Sequence, residues 1–485
     1  MTRRIVAIAT LAITGGCASA HAVAPIASHP STAAVAQPAT PAADDAAEPD
    51  APPPAIAEAG PWVGGAAASD FVLQGASEQL VGVWVDVPAS APPRVPLAVA
   101  LAIDTSGSMD GAPIRDARAA ARKVVDSMVD GDLVALVTFD NAAVTVVEPV
   151  VLGPQSRRRL QTRIGELQAS GGTALHDGVK QAEFTLLHAP AEYLVRRVIV
   201  ISDGQATVGE TNPNAMGNLA EVGMQHGIQV TSLGVGLDYD ERTLDAFAVR
   251  SSGRLYHLEQ SKEMPEIVAG EMELLARSSA AQAQLELVPA PGVSITAVDA
   301  VASRPSGRGT TIPLGVMHAG QHRELLVRLR MDRPATLGRH ALASVRLSYQ
   351  DPADDGIERV HEALVRATIT DDPKQVAGHE HDRAQAIIAM REASLLAASA
   401  AAAAGRGELV LADAELDRAQ RNLREHADRV ADPKQRKQML SGADQIGRAR
   451  KKVAEAKDAP VASKPARSRA AALELNDVNM AFDGF

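Results

Sequence analysis

Apolar residues recur along the chain in two different periods, and the switches between them mark its organisation. From Leu97 onward, short apolar runs alternate with stretches of helical spacing. Leu97–Ile103 (LAVALAI), Leu133–Phe139 (LVALVTF) and Arg197–Ser202 (RVIVIS) read as buried strands, while Pro113–Val129, Gln155–Gln168, Leu175–Leu187 and Pro213–His226 read as helices. Apolar runs of this kind, alternating with helices, are what a doubly wound parallel sheet requires. Ala143–Val147 is expected as an edge strand, Ile228–Leu233 as another strand and Asp240–Arg250 as a helix. Arg254–Leu258 is expected as a last short strand and Lys262–Leu275 as a closing helix. The pattern predicts a doubly wound (Rossmann-like) α/β domain over 96–277.

The flanks follow other patterns. Phe71–Leu73 and Gln79–Val87, within 66–95, look like strands. After the α/β domain come Gln284–Val288, Val293–Val298, Thr311–Val316, Arg323–Met331, Ala341–Tyr349 and Arg359–Thr370, separated by turns at Pro289–Gly292, Arg304–Gly309 and Asp351–Gly356. Short strands at regular spacing predict a β-sandwich over 278–372. The early strands have no partners of their own, and a lone hairpin is marginal in water. Gln79–Val87 is therefore expected to join the sandwich, with the α/β domain inserted within it. From 373 to 457 the pattern turns helical: Leu409, Leu416, Leu423 and Val430 lie one heptad apart, as do Met439, Ile446 and Val453. Such short stripes fit helices packed on one another, with a partner-binding coiled coil as the alternative. Residues 458–485 read as a polar linker and tail carrying Met480, Phe482 and Phe485.

Composition narrows the function classes. The 485 residues leave room for several domains. A net charge of −11 gives no electrostatic case for nucleic-acid binding. Aromatics are only 2 % of residues, so the cores must be aliphatic. Residues 1–17 read as a secretory signal, with Arg3 and Arg4 ahead of the apolar run Ile5–Ile13. The sole cysteine, Cys17, follows Thr14-Gly15-Gly16 and resembles the lipidated cysteine of a bacterial lipobox, although Thr14 stands where an aliphatic residue is usual. The alternative is an ordinary cleavage near Ala18–Ala20 that discards Cys17. Residues 18–65 are rich in Ala, Pro, Ser and Asp and read as a disordered tether. No other stretch is expected to be long and apolar enough to cross a bilayer. The expected location is the bacterial cell envelope, periplasmic or at the surface, with membrane contact through a lipid anchor only.

The candidate chemistry lies at strand ends. Asp104, Ser106 and Ser108 alternate just past Leu97–Ile103, so a turning backbone can aim three oxygens at one point. One carboxylate with two hydroxyls suits a small hard cation that prefers oxygen ligands. Thr173 sits in the Gly-rich turn Ser170–Leu175, and Asp203 closes Arg197–Ser202. In open α/β sheets, ligand sites lie in such loops at the carboxyl ends of strands. Nearby Asp110, Asp140, Asp177 and His176 read as turn, helix-start or solvated residues, and His379-Glu380-His381 as a solvated helix start.

Together these segments, from about Leu97 to Leu275, resemble the metal-ion-dependent adhesion site of the von Willebrand factor type A family. Asp104, Ser106, Ser108, Thr173 and Asp203 each match the family's metal-site positions. The resemblance implies Mg²⁺ or Mn²⁺, with Asp203 acting through a metal-bound water and an open coordination position taken by a carboxylate from a protein partner. Ca²⁺ is disfavoured by so few carboxylates. The chain has no G-x-S-x-G, no H-E-x-x-H and no Walker A motif. The expectation is a non-enzymatic envelope binding or adhesion protein. The alternatives are the type A component of an ATPase- or chelatase-type complex, and a structural spacer with a vestigial metal site.

Overall fold

A computed structural model describes residues 62–460, except 91, 204, 236–239, 259, 300–302, 308 and 333–334, together with 463, 467–468, 471–472 and 475. The signal segment, Cys17 and most of the tether and tail lie outside the described residues.

Three strands open the described chain: β1 (Val63–Ala67), β2 (Phe71–Leu73) and β3 (Glu78–Asp86). β1 starts inside the stretch read as tether. Its sequence, VGGAA, lacks alternation and has Val63 as its one branched residue, a weak strand signal. Pairing supplies what propensity does not: β1 runs antiparallel to β3 from Val63–Val85 to Ala67–Val81. Trp62, just before it, stacks on Tyr349 at a ring separation of 4.6 Å.

The α/β domain follows as β4 (Leu97–Asp104), α1 (Ala112–Ser127), β5 (Leu133–Phe139), β6 (Ala143–Val151), α2 (Pro154–Gly165), α3 (Leu175–Leu187), β7 (Val195–Ser202), α4 (Pro213–Gln225), β8 (Ile228–Val235), α5 (Glu241–Arg250), β9 (Arg254–Leu258) and α6 (Met264–Ala276). Its sheet order is β6-β5-β4-β7-β8-β9, parallel except for β6. β4 is central and wholly buried. Because side chains alternate across a strand, Leu97, Val99, Leu101 and Ile103 fill the core under α1 and α6. Ala98, Ala100 and Ala102 face the other way, and these small residues let α3 lie close to the sheet. The chain leaves β4 toward β5 on one side and returns to β7 on the other. The carboxyl ends of β4 and β7 thus border the sheet's topological switch point, where open α/β sheets bind ligands.

The remaining strands are β10 (Ser278–Pro289), β11 (Val293–Val298), β12 (Arg304–Ser306), β13 (Gly309–His318), β14 (His322–Met331), β15 (Gly338–Asp351) and β16 (Ile357–Thr370). They complete two sheets, β1-β3-β14-β11 and β12-β13-β10-β15-β16-β2, that enclose one aliphatic core. β3 pairs with β14 from Glu78–Arg330 to Asp86–His322, so the α/β domain leaves and rejoins a sandwich built from both flanks. Arg304–Gly309, read as a turn, contributes the short β12 before the turn itself.

After α7 (Pro373–Gly378) come three helices joined by short turns: α8 (Asp382–Gly405), α9 (Leu409–Arg429) and α10 (Pro433–Lys457). The heptad residues Leu409, Leu416, Leu423, Val430, Met439, Ile446 and Val453 are all buried in their common core. Mutual packing of the helices therefore absorbs these stripes. α8 is long and apolar enough to cross a membrane by length and composition, which corrects the expectation that no stretch after the N-terminal signal is. Its alanines are largely buried against α9 and the neighbouring helices. Ile387 and Ile388 dock on Leu326 of the sandwich. Arg383 clamps the same joint, with Asp86 at 2.6 and 2.8 Å, Glu324 at 3.0 Å and its guanidinium over Trp84.

One buried acid sets a pH dependence. Glu183 on α3 is 4 % exposed, and its Oε1 has no hydrogen-bond partner among the described residues. Burial pushes its carboxyl up to about 8, whereas the unfolded chain holds it near 4.5. The folded protein therefore binds this proton more tightly. Stability falls as pH rises through the window from about 4.5 to 8 and levels off above it, a loss of at most about 5 kcal/mol. Glu183→Gln is expected to be more stable than wild type at pH 9 and nearly equal to it at pH 4.5. Urea unfolding at both pH values checks this, and equal midpoint differences at the two would contradict it.

Candidate metal centre

The site is built from four loops at the carboxyl edge of the parallel sheet. Asp104, the last residue of β4, is fully buried. Its orientation is fixed from two sides: Oδ1 accepts from the Ser106 amide at 2.8 Å, and Oδ2 accepts from the Ser202 hydroxyl at 2.6 Å. Ser106 and Ser108 lie hydroxyl to hydroxyl at 3.0 Å, and Ser108 donates to Asp203 Oδ1 at 2.9 Å. Asp104, Ser106, Ser108 and Asp203, with Ser202 beneath, thus form one continuous polar cluster across the ends of β4 and β7.

The loop that carries Thr173 is tied to the loop that follows β4 through its neighbours Ser170 and Gly171. The Ser170 amide donates to the Thr105 carbonyl at 2.7 Å, and the Gly107 amide donates to the Gly171 carbonyl at 3.0 Å. The two loops are thereby laced together. Gly171 adopts φ +78°, a left-handed conformation natural to glycine, and the space where its Cβ would lie is filled by the Asn141 amide. Asn141 Oδ1 accepts from the Gly172 amide at 2.9 Å. Thr173 itself is buried; its amide donates to Thr207 Oγ1 at 2.9 Å, and its carbonyl accepts from the amides of Thr207 and Val208.

The electrostatics favour a cation. Burial pushes the Asp104 carboxyl up to about 6, against the opposing pull of hydrogen bonds from Ser202 and Ser106, and Asp203 adds repulsion. Burial also raises Asp203, offset by the Ser108 hydroxyl. A buried carboxylate held only by neutral donors beside a second carboxylate lacks a counter-charge, and such charges are costly unless paired or bound to metal. Two carboxylates and three hydroxyls form an all-oxygen set that fits a hard divalent ion. Among the described residues no group of three or more His, Cys, Asp or Glu side chains competes as a metal site.

The other acids read as bland in the sequence keep that character. Asp140 Oδ1 accepts from the Ala142 amide, closing a turn, and Asp177 lies in the first turn of α3 beside His176. Sequence reasoning missed Ser202, Asn141 and Thr207, which hold the site residues in place. Only Ser202 carried a signal, as the polar end of the run RVIVIS next to Asp203.

A doubly wound sheet with a polar cluster at its switch point defines a class of α/β domain. Residues 98–270 match the von Willebrand factor type A domain, and the chain contains such a domain. The chain is 27 % identical over 270 residues to an uncharacterized protein from Synechocystis, covering 54 % of this chain and 63 % of the relative. It is 31 % identical over 168 residues to inter-alpha-trypsin inhibitor heavy chain H4 of Bos taurus, covering 33 % of this chain and 18 % of that protein. The matches thus span less than two thirds of these relatives' lengths. Among solved structures, a von Willebrand factor type A protein from Catenulispora acidiphila aligns with a TM-score of 0.70 at 20 % identity, covering 86 % of this chain and 96 % of that one. The ArnB paralog VWA2 from Sulfolobus acidocaldarius aligns with a TM-score of 0.57 at 15 % identity, covering 87 % and 97 %. At such identities the likeness concerns fold, and here it extends well beyond the α/β domain.

Proposed function

We propose that this chain is a non-enzymatic binding protein of the cell envelope. Its type A domain holds Mg²⁺ or Mn²⁺ through Asp104, Ser106, Ser108, Thr173 and Asp203 and takes a carboxylate from a protein partner. The observation that carries the reading is the buried Asp104 carboxylate, tied by hydroxyls into one cluster with Asp203 at the switch point. A bound divalent ion would supply the missing positive charge and an electrophilic position for an incoming acid. The protein's part is to fix the donors. Ser202 and the Ser106 amide aim Asp104, and the laced loops hold Ser108 and Thr173 at the rim. Ser108 is exposed, so the rim is open to a partner. The net charge of −11 argues against nucleic acid, and the N-terminal sequence argues for export and a lipid anchor at Cys17.

Capture of a glutamate-rich peptide on the immobilised full chain tests this reading. Retention in Mg²⁺ or Mn²⁺ that is lost in EDTA, and lost when the glutamates are replaced by glutamines, is the expected result. Retention that ignores both metal and carboxylate would sink it.

A further inference from the structure

A second concavity lies on the opposite flank of the α/β domain from α1 and α6, in the groove between α3 and α4. It encloses about 590 Å³, within the range of small-molecule sites. Its walls are apolar, formed chiefly by Phe184 and Leu187 of α3 and by Leu219 and Val222 of α4. Phe184 and Val222 are each more than half exposed, an arrangement that leaves large apolar groups in water unless something covers them.

The groove has a polar base. Glu183 lines it, is 4 % exposed and has no hydrogen-bond partner for Oε1 among the described residues. Gly223 faces this group: a Cβ there would lie 2.5 Å from Glu183 Oε1, so a side chain at 223 would push the carboxyl aside. A buried acceptor with no donor is costly in the folded state and becomes favourable once a donor arrives. The other titratable groups of the lining are Asp177 and Lys180 on α3 and His226 just past α4. Charged donors make the strongest hydrogen bonds to carboxylates.

We propose that this groove binds a small amphipathic primary amine, its apolar body between Phe184, Leu187, Leu219 and Val222 and its ammonium on Glu183. The site uses none of the metal-site residues, so it stands or falls separately from the metal reading.

Isothermal titration of the full chain in EDTA at pH 9, where Glu183 is ionised and the amine keeps its charge, with 4-phenylbutylamine and with the isosteric 4-phenylbutanol tests the proposal. The amine is expected to saturate one site with at least tenfold higher affinity than the alcohol. Glu183→Gln should reduce the amine to the alcohol's affinity, and Val222→Trp, a change at an exposed position, should abolish binding of both. Equal binding of amine and alcohol, no saturable binding of the amine, or amine binding unchanged in either variant would overturn it.

Discussion

Replacing Arg197 with methionine is expected to destabilise the protein by about 3–5 kcal/mol, the range for breaking a buried ion pair from one side. Arg197 on β7 is among the largest fully buried side chains. It faces Glu271 of α6 at 3.7 Å, and its guanidinium donates to Thr231 Oγ1 at 3.3 Å and Gln229 Oε1 at 3.2 Å on β8. Glu271 in turn accepts from Thr231 at 2.7 Å and from the Tyr256 hydroxyl on β9 at 2.9 Å. Gln229 Oε1 also accepts from the Val316 amide on β13, which carries the network into the sandwich. Removing the guanidinium leaves Glu271 buried with only two neutral donors. Those two donors place the expected loss at the lower end of the range. Arg197→Met combined with Glu271→Gln should recover at least half of it, because no uncompensated charge remains. Urea unfolding of the single and double variants decides the matter. A single variant within about 1 kcal/mol of wild type would show that the pair contributes little.

The second large effect changes sign with metal. Asp104→Asn removes a carboxyl that burial raises from 3.8 to about 6. The ionised group costs the metal-free fold increasing stability as pH rises through that window and a constant amount above it. At pH 7.5 without metal, the variant is expected to be more stable than wild type by about 1–3 kcal/mol. Saturating Mg²⁺ reverses the order. An ion present at a thousand times its dissociation constant stabilises the wild type by about 4.1 kcal/mol and should leave both Asp104→Asn and Thr173→Ala unmoved. Thermal unfolding with and without Mg²⁺ reads all of this. Equal metal-induced shifts in wild type and variants would place any bound metal elsewhere.

Most of the architecture was legible because its signals are local. The apolar run Leu97–Ile103 needs both faces covered, Pro213 after Asn212 opens a helix, and Gly-rich Ser170–Leu175 must turn. The observed N-cap at Asn212 accepts from the Asn214 amide, as the pattern requires. What escaped depends on tertiary partners. Arg197 was read as the polar start of a strand that in fact begins at Val195, because nothing local announces a Glu271 waiting on a helix far along the chain. β1 escaped because VGGAA becomes a strand only against β3. At the site, the residues with chemical character stood out, whereas Ser202, Asn141 and Thr207 matter only through what they hold.

The proposed function requires a divalent ion on Asp104, Ser106, Ser108, Thr173 and Asp203. Isothermal titration of the metal-stripped full chain with Mn²⁺ and Mg²⁺, beside Asp104→Asn and Thr173→Ala, tests it most directly. Saturable binding of one ion per chain, lost in both variants, is the predicted result. Absence of saturable binding in the wild type, with or without a glutamate-rich peptide present, would contradict it.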